Sequence, residues 1–512
     1  MQNVFKFLFV LPSLFFGIKV LARPLSASLV LAERTSLAEL ADNVMNPDSP
    51  RHQIYYTPEE IRDLVAPKIM DYTTALRNLR SQGFSIAFQS PSHLLITVKA
   101  DHKVFEKVFN TKFKFIDNKY HVVLRRPKIP SNLSLISSIS GLSNIQMYRP
   151  LYKKFSEGTE FVGQPGILPE KIKKAYGLNA LYNSGLTGKG QHIAIATFMN
   201  FFLEDISQYF ELIGLSPTPS VEKITFNGTP PFDDISAPET ELDAELAGMI
   251  APGASLHVFT SAENSEQGEL TLFTTILDDN RSKIISYSWG MCETSVSPDH
   301  RVNMDKVFAR AIAQGVNILA ASGDTGSDGC TNGTAVAVWP AIHPSVLSVG
   351  GTSLYFSQDG SKQEVGWSGS GGGVSAFYNL PTWQSVFKTP FLRRSYPDFA
   401  FNADPGTGQG IWIRSSSTSA PGWIQVGGTS IGAPQWAGYL ALVNESRIEK
   451  ELPTLGYLNP ILYNSSPNDK RNIFTDVIKG RNGAYAAGEG WDAVTGWGTM
   501  KASEMLDFLI AR

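Results

Sequence analysis

The 512-residue chain is 42% hydrophobic and 18% charged, with a formal net charge of −3 at pH 7, the profile of an ordinary globular protein with room for two or more domains. Only two cysteines, Cys292 and Cys330, exclude a disulfide scaffold and leave one bridge open. Beyond the N-terminus no stretch is long and apolar enough to span a bilayer, and the basic residues of 51–150 are scattered without an aromatic stacking motif, which speaks against nucleic-acid binding.

The N-terminal text MQNVFKFLFVLPSLFFGIKVLARP joins an early Lys6 to an apolar stretch and a Val20-to-Ala22 end that suits signal peptidase, predicting a secretory signal over residues 1–22. Pro12 and Lys19 interrupt it too often for a membrane anchor. Further on, Thr57 is placed to cap a helix that has Pro58 in its first turn and Glu59 and Glu60 at its positive end, and a second helix runs to a stop at Gly83. Strand-like HLLITVKA and FKFIDNKYHVVLRR flank the helical DHKVFEKVFN, which makes a small α+β unit. The Pro- and Gly-bearing text from RRPKIPSNLS to EFVGQPGILP then reads as a junction. Residues 51–150 carry 15 basic and 7 acidic side chains, a net of +8, against −11 for residues 151–512, so the two parts are expected to pair within the molecule.

After the junction, HIAIATF, SLHVFT, KIISYSWG, NILAASGD and VLSVGG predict buried parallel strands, and HRVNMDKVFARAIAQG an amphipathic helix between two of them. This is a doubly wound α/β domain, whose chemistry gathers at the carboxyl ends of the strands, where Gly290, Gly323 and Gly350 let the chain turn away. Asn-x-Ser/Thr sequons, among them those at Asn132, Asn227, Asn332, Asn444 and Asn464, are glycan acceptors if the host is eukaryotic.

SAPETELDAELAGMIAPGA predicts a helix over Pro238–Ile250 with Ser236 as its cap. Glu239 and Asp243, four apart, stack on one face, and Glu241 and Glu245 on another; all four are surface acids by default, but a buried pair can coexist only by sharing a proton. Asp324, between glycines after a strand, is a turn residue or, if kept protonated, a donor to a developing oxyanion. Ser430 in GGTSIGAPQWAG is a helix cap or a nucleophile at a helix mouth. None of the eight histidines stands in a Gly-rich strand-to-helix setting like the His-Gly-Thr-His of subtilisins, which weakens a histidine-based serine esterase.

Together Glu239-x-x-x-Asp243, SYSWG, SGDTG, VGGTS and GGTSIGAP, with YPDFAFNADPGTG and AGEGWDAVTGWG, resemble the sedolisin family of serine-carboxyl peptidases, which includes kumamolisin-like enzymes and a lysosomal tripeptidyl peptidase. The resemblance covers nearly all of the chain after the signal. It implies a subtilisin-like catalytic domain over residues 161–512 behind an activation propeptide over 23–160. It makes Ser430 the nucleophile, Glu239 its general base, Asp243 the residue that orients Glu239, and Asp324 the side-chain part of an oxyanion hole completed by the Ser430 N–H. It further implies one structural Ca2+ held by the Asp476 and Asp492 carboxylates and the carbonyls of Val477, Gly488 and Gly490. One feature departs from the pattern: IAIATFMNFF has no acid before Glu204, where family members often extend the carboxylate chain. Tyr287 and Trp289 line substrate subsites or sit in the core.

The expected function is an acid-active serine-carboxyl peptidase made as a zymogen, cutting as an endopeptidase or a tripeptidyl-peptidase; the alternative is a catalytically silent, calcium-stabilised secreted binding protein of the same fold. Its expected partners are peptide or protein substrates and its own propeptide, with neither nucleic acid nor stable membrane insertion. Its expected location is secreted or extracytoplasmic, or an acidic compartment such as the lysosome in a eukaryote.

Overall fold

In a parallel sheet covered on both faces, successive side chains of each strand must enter opposite cores, and this chain follows that rule. Ile193 and Ile195 face one core while Ala194 and Ala196 face the other; Ile284 and Ile285 divide the same way, as do Leu319 and its neighbours Ile318 and Ala320. The computed structural model describes residues 25–116, 120–155, 164–386, 390–414 and 416–512; the expected signal over 1–22 lies outside them.

The central sheet has ten strands in the order Ser220–Phe226, Ser255–Ser261, His192–Thr197, Ile284–Tyr287, Asn317–Ala321, Leu347–Phe356, Phe399–Asn402, Thr499–Met500 and Phe474–Thr475, with Lys362–Gly366 paired antiparallel to Leu347–Phe356. All neighbours from Ser220–Phe226 to Thr499–Met500 run parallel, and only the last pairing on that path is antiparallel. The helices Pro238–Ile250 and Gly432–Glu449 pack on one face, Glu266–Asp279 and Pro298–Ala313 on the other. This is the expected doubly wound, subtilisin-like α/β architecture.

The N-terminal unit is α+β, with a four-stranded antiparallel sheet in the order Ser85–Gln89, Leu95–Ala100, Leu25–Leu31, Ile136–Ser140. Thr57 caps as expected: Glu60 N donates to Thr57 Oγ1 at 3.2 Å and Thr57 N to Glu60 Oε2 at 2.9 Å, a reciprocal capping box. The proposed junction is corrected in part. Its Ile136–Ser140 stretch is a core strand, because Leu25–Leu31 supplies a partner that local composition does not announce.

The unit docks on the catalytic domain mainly through apolar contact. Leu37, Leu40, Ala41 and Val44 form one cluster with Ile312 and Ala313, while Val30 and Leu95 join the catalytic core. Among the described residues two ion pairs cross this boundary, Arg126–Asp299 at 2.7 Å and Lys306–Glu33 at 3.0 Å, and the second has the reverse of the expected polarity. Of the sequons, Asn444 is corrected: it is fully buried, its Oδ1 accepting from Leu455 N, and offers no acceptor in the folded protein.

Candidate active site

The helix Pro238–Ile250 has the expected bounds and is buried along its whole length, which removes the surface alternative for its acids. Ser236 is not its cap. Asp233 Oδ1 takes the N–H groups of Ile235 and Ser236 at 3.0 and 2.7 Å, closing the entry turn, and Ser236 contributes only its carbonyl, to Glu239 N at 3.2 Å.

The two acid pairs have different surroundings. Glu241 accepts from Phe202 N at 2.9 Å and Glu245 from Trp412 N at 3.0 Å, so this pair ties the helix to its neighbours; burial lifts the Glu241 carboxyl to about 8 and Glu245 well above the usual range. Asp243 Oδ1 accepts from Ser288 Oγ at 2.6 Å. Its Oδ2 and both Glu239 oxygens are buried without a protein hydrogen bond of standard geometry, although the adjacent Ser430 hydroxyl favours the ionised form of Glu239. Burial is the larger effect and pushes Glu239 and Asp243 upward, with Asp243 raising Glu239 further, so the two titrate as a unit. Behind Asp243 stands the Ser288 hydroxyl rather than another carboxylate, in line with the acid-free IAIATFMNFF text.

Asp324 leaves the Asn317–Ala321 strand at its carboxyl end. Its Oδ1 accepts from Thr429 N and Oγ1 at 2.7 and 2.9 Å, while Oδ2 is buried without a partner. Burial lifts the carboxyl to about 7, against the opposing Thr429 bonds. Gly428 lies beside it at φ +96°, where an added Cβ would come within 2.4 Å of Asp324 Oδ2 and 2.7 Å of the Leu151 carbonyl. Only glycine lets those two groups approach.

Ser430 sits in the single turn Thr429–Ile431 that leads into the helix Gly432–Glu449, and it caps nothing. Its N–H donates to the Leu151 carbonyl at 2.9 Å and its hydroxyl donates to the same oxygen. The structure thus brings Glu239, Asp243, Asp324 and Ser430 together around a main-chain carbonyl of the segment between the two units. Among the described hydrogen bonds no histidine reaches Ser430; His300, for instance, is buried against Glu269 at 2.7 Å.

Cys292 and Cys330 are paired, with Cα atoms 4.7 Å apart, joining the end of the Trp289–Cys292 strand to the loop after Asp324. Tyr287 and Trp289 are both fully buried in the core. In the C-terminal loop each aspartate accepts main-chain N–H groups: Gly490 N donates to Asp476 Oδ2 at 2.8 Å, Gly488 N to Asp492 Oδ2 at 3.1 Å, and Val494 N and Thr495 N to Asp492 Oδ1 at 2.8 and 2.9 Å. Neither carboxylate has a Lys or Arg within ion-pair distance among the described residues, and Asp492 is mostly buried. Glu489 is close enough to Asp476 to raise its carboxyl further than burial does, but among the described residues no three acids, imidazoles or thiols gather tightly enough to hold a metal ion. The carboxylates have main-chain N–H partners and no Lys or Arg beside them, so it is by donor type alone that two acids in one glycine-bearing loop suit a hard ion such as Ca2+.

Two known families match the chain. The family described as Pro-kumamolisin, activation domain, matches residues 22–145, and the Subtilase family matches residues 236–498. Kumamolisin of Bacillus sp. (strain MN-32) is 33% identical over 78% of this chain and 75% of that protein. The chain belongs to the sedolisin family. It is a serine-carboxyl peptidase made as a zymogen, and the silent binding protein finds no support. This sedolisin-family chain is also 27% identical to mouse tripeptidyl-peptidase 1 over 95% of itself and 92% of that protein. A solved Pseudomonas sedolisin matches it with a TM-score of 0.60 and 29% identity, over 69% of this chain and all of that one.

The positions that sequence reasoning missed are Leu151 and its neighbours, Thr429, which holds Asp324, and Ser288, which holds Asp243. Thr429 and Ser288 lie inside the quoted GGTSIGAP and SYSWG texts, so their motifs were visible but their bonds were not.

Proposed function

We propose that this peptidase is exported as a precursor and works in acid, with residues 1–22 as signal, 23–160 as propeptide and 161–512 as catalytic domain. Ser430 Oγ attacks the substrate carbonyl and gives its proton to Glu239, which Asp243 orients. The oxygen that becomes negative is met by the Ser430 N–H and by protonated Asp324. The leaving amine takes the proton back from Glu239, and water then releases the acyl group from Ser430.

The observation that carries this reading is the Leu151 carbonyl. It is held by Ser430 N at 2.9 Å, and Asp324 lies across Gly428 from it. The chemistry requires acid for a physical reason: ionised Asp324 would repel an oxyanion, so its proton must be in place, which burial secures below about 7. The buried dyad supplies a base as long as one of its two carboxyls remains charged. Asp476 and Asp492, with the carbonyls of Val477, Gly488 and Gly490, would hold one Ca2+, whose contribution is charge neutralisation in the loop rather than a step of the reaction.

Digestion of a peptide mixture at about pH 4, near a carboxylate's ordinary pKa, tests the assignment. The wild type is expected to cleave, and Ser430→Ala and Glu239→Gln to lose at least about 10⁴-fold in kcat/KM while keeping the wild-type melting profile. Wild-type rates from the alanine variant, or no turnover by the wild type at any pH, would end it.

A further inference from the structure

Residues 148–154 thread the cleft from end to end. On one side of Ser430, Arg149 and Pro150 pair antiparallel with Gly290 and Trp289, and Leu151 N donates to Ser288 O at 3.0 Å. On the other side, Lys153 and Lys154 pair antiparallel with Gly427 and Val426, and Phe155 N donates to Gln425 O at 3.0 Å. Between these pairings the chain presents a single carbonyl to the Ser430 N–H and hydroxyl, that of Leu151.

Two side chains fix this register. Leu151 lies against Gly290, where an added Cβ would come within 2.9 Å of Leu151 Cδ1 and 2.7 Å of Val338 Cγ1. Around it is a cavity of about 260 Å³ lined by Met291, Cys292, Cys330 and Val338, among others. Three residues earlier, Tyr148 has its backbone clasped by Asn264, which accepts from Tyr148 N at 2.8 Å and donates to Tyr148 O at 2.9 Å. The Tyr148 ring is buried, stacked on Phe198 at 5.4 Å, and its hydroxyl donates to Glu269 Oε2 at 2.5 Å. A cleft that holds main chain this far to both sides of the serine is not closed off for chain ends.

We infer that this segment lies as a substrate lies: the first bond the precursor cuts in itself is Leu151–Tyr152, which leaves residues 152–160 of the propeptide region joined to the catalytic domain, and the vacated cleft is that of an endopeptidase that takes leucine beside the scissile bond and tyrosine three residues before it. The inference rests on Ser430 being the nucleophile. Ser430 Oγ bonds to the Leu151 carbonyl carbon as its proton passes to Glu239. The carbon–nitrogen bond to Tyr152 breaks, and that proton leaves on the Tyr152 amine. Water then supplies the oxygen that completes the Leu151 carboxyl group and frees Ser430. Departure of the N-terminal unit takes Tyr148 with it and opens the pocket formed by Phe198, Glu269 and Asn264 to a substrate side chain.

Purified full-length precursors, wild type, Ser430→Ala and Leu151→Asp, are acidified, and the termini of the first products are read by mass spectrometry. The wild type should yield a chain ending at Leu151 and one beginning at Tyr152, and Leu151→Asp should slow that cut at least tenfold. A Ser430-dependent first cut at another bond, or no cut by the wild type, overturns the inference; cutting by pure Ser430→Ala protein overturns instead the reading of Ser430. Because Leu151→Asp could disturb folding, a second measurement uses the mature enzyme on YRPLYKK peptides blocked at both ends. Cleavage after leucine is expected, with kcat/KM at least tenfold lower when the first tyrosine or the leucine is replaced by alanine. Equal rates for all three peptides, or no cleavage of the blocked parent, overturn it.

Discussion

Asp324 keeps its proton at a pH where an ordinary aspartate has lost it, because burial lifts its carboxyl to about 7 while Thr429 occupies only Oδ1. That leaves Oδ2 free to donate in acid and unable to above neutrality. Asp324→Asn puts a permanent donor in the same place, so its kcat/KM should lack the fall near pH 7 expected of the wild type, whereas Asp324→Ala should lose about 10²- to 10³-fold at every pH. A wild-type fall near pH 7 that survives unchanged in the asparagine variant would move this limb to another group. Ser430, Glu239 and Asp324 were legible in the sequence because each stands in a short contiguous text. Leu151 was not, since its meaning comes from a contact with Ser430 across 279 residues and its own text reads as linker.

Elements with strong local signals were legible and those made by pairing were not. The capping box at Thr57 and the apolar runs of the parallel strands carry their structure in consecutive residues. Ile136–Ser140 lacks such a signal, with proline at 130 and serines throughout, and becomes a strand because Leu25–Leu31 lies open beside it. The C-terminal loop was legible as a ligand set only through its resemblance, as two aspartates and two glycines are common loop content. On the proposal that one Ca2+ binds there, that loop should melt earlier without it: at a hundredfold excess of Ca2+ over Kd such an ion stabilises by about 2.7 kcal/mol. Chelator at pH 7 should therefore lower the melting temperature of the wild type and leave Asp492→Ala, already low, unchanged. An identical wild-type melting temperature with and without chelator would rule out a structural ion in this loop.

Over the whole molecule the charge split between the two units suggested that complementary fields hold the propeptide, yet the boundary is largely an apolar seam with ion pairs of both polarities. Acid acts more strongly elsewhere, in the catalytic core, where buried carboxyls are stacked behind the cleft. Burial raises Glu239, Asp243 and Glu245 above their ordinary values, Glu241 to about 8 and Asp324 to about 7. For an acid whose folded pKa is raised, the folded state binds the proton more tightly than the unfolded one, so its contribution is full below the unfolded value near 4 and is lost as pH rises through the folded value. For Asp324 alone, the rise from 3.8 to about 7 corresponds to about 4 kcal/mol. The folded precursor should thus be more stable at pH 5 than at pH 8, opposite to a protein whose carboxylates are held ionised by salt bridges. Melting the Ser430→Ala precursor, which cannot process itself, across this range isolates the effect from cleavage. The melting temperature is expected to fall steadily between pH 6 and pH 8.5, and Asp324→Asn added to the same protein should flatten part of that fall. A melting temperature that climbs with pH over this interval would mean that Asp324, Glu241 and Glu245 are charged in the native state, and the acid requirement, which rests on the Asp324 proton, would fall with it.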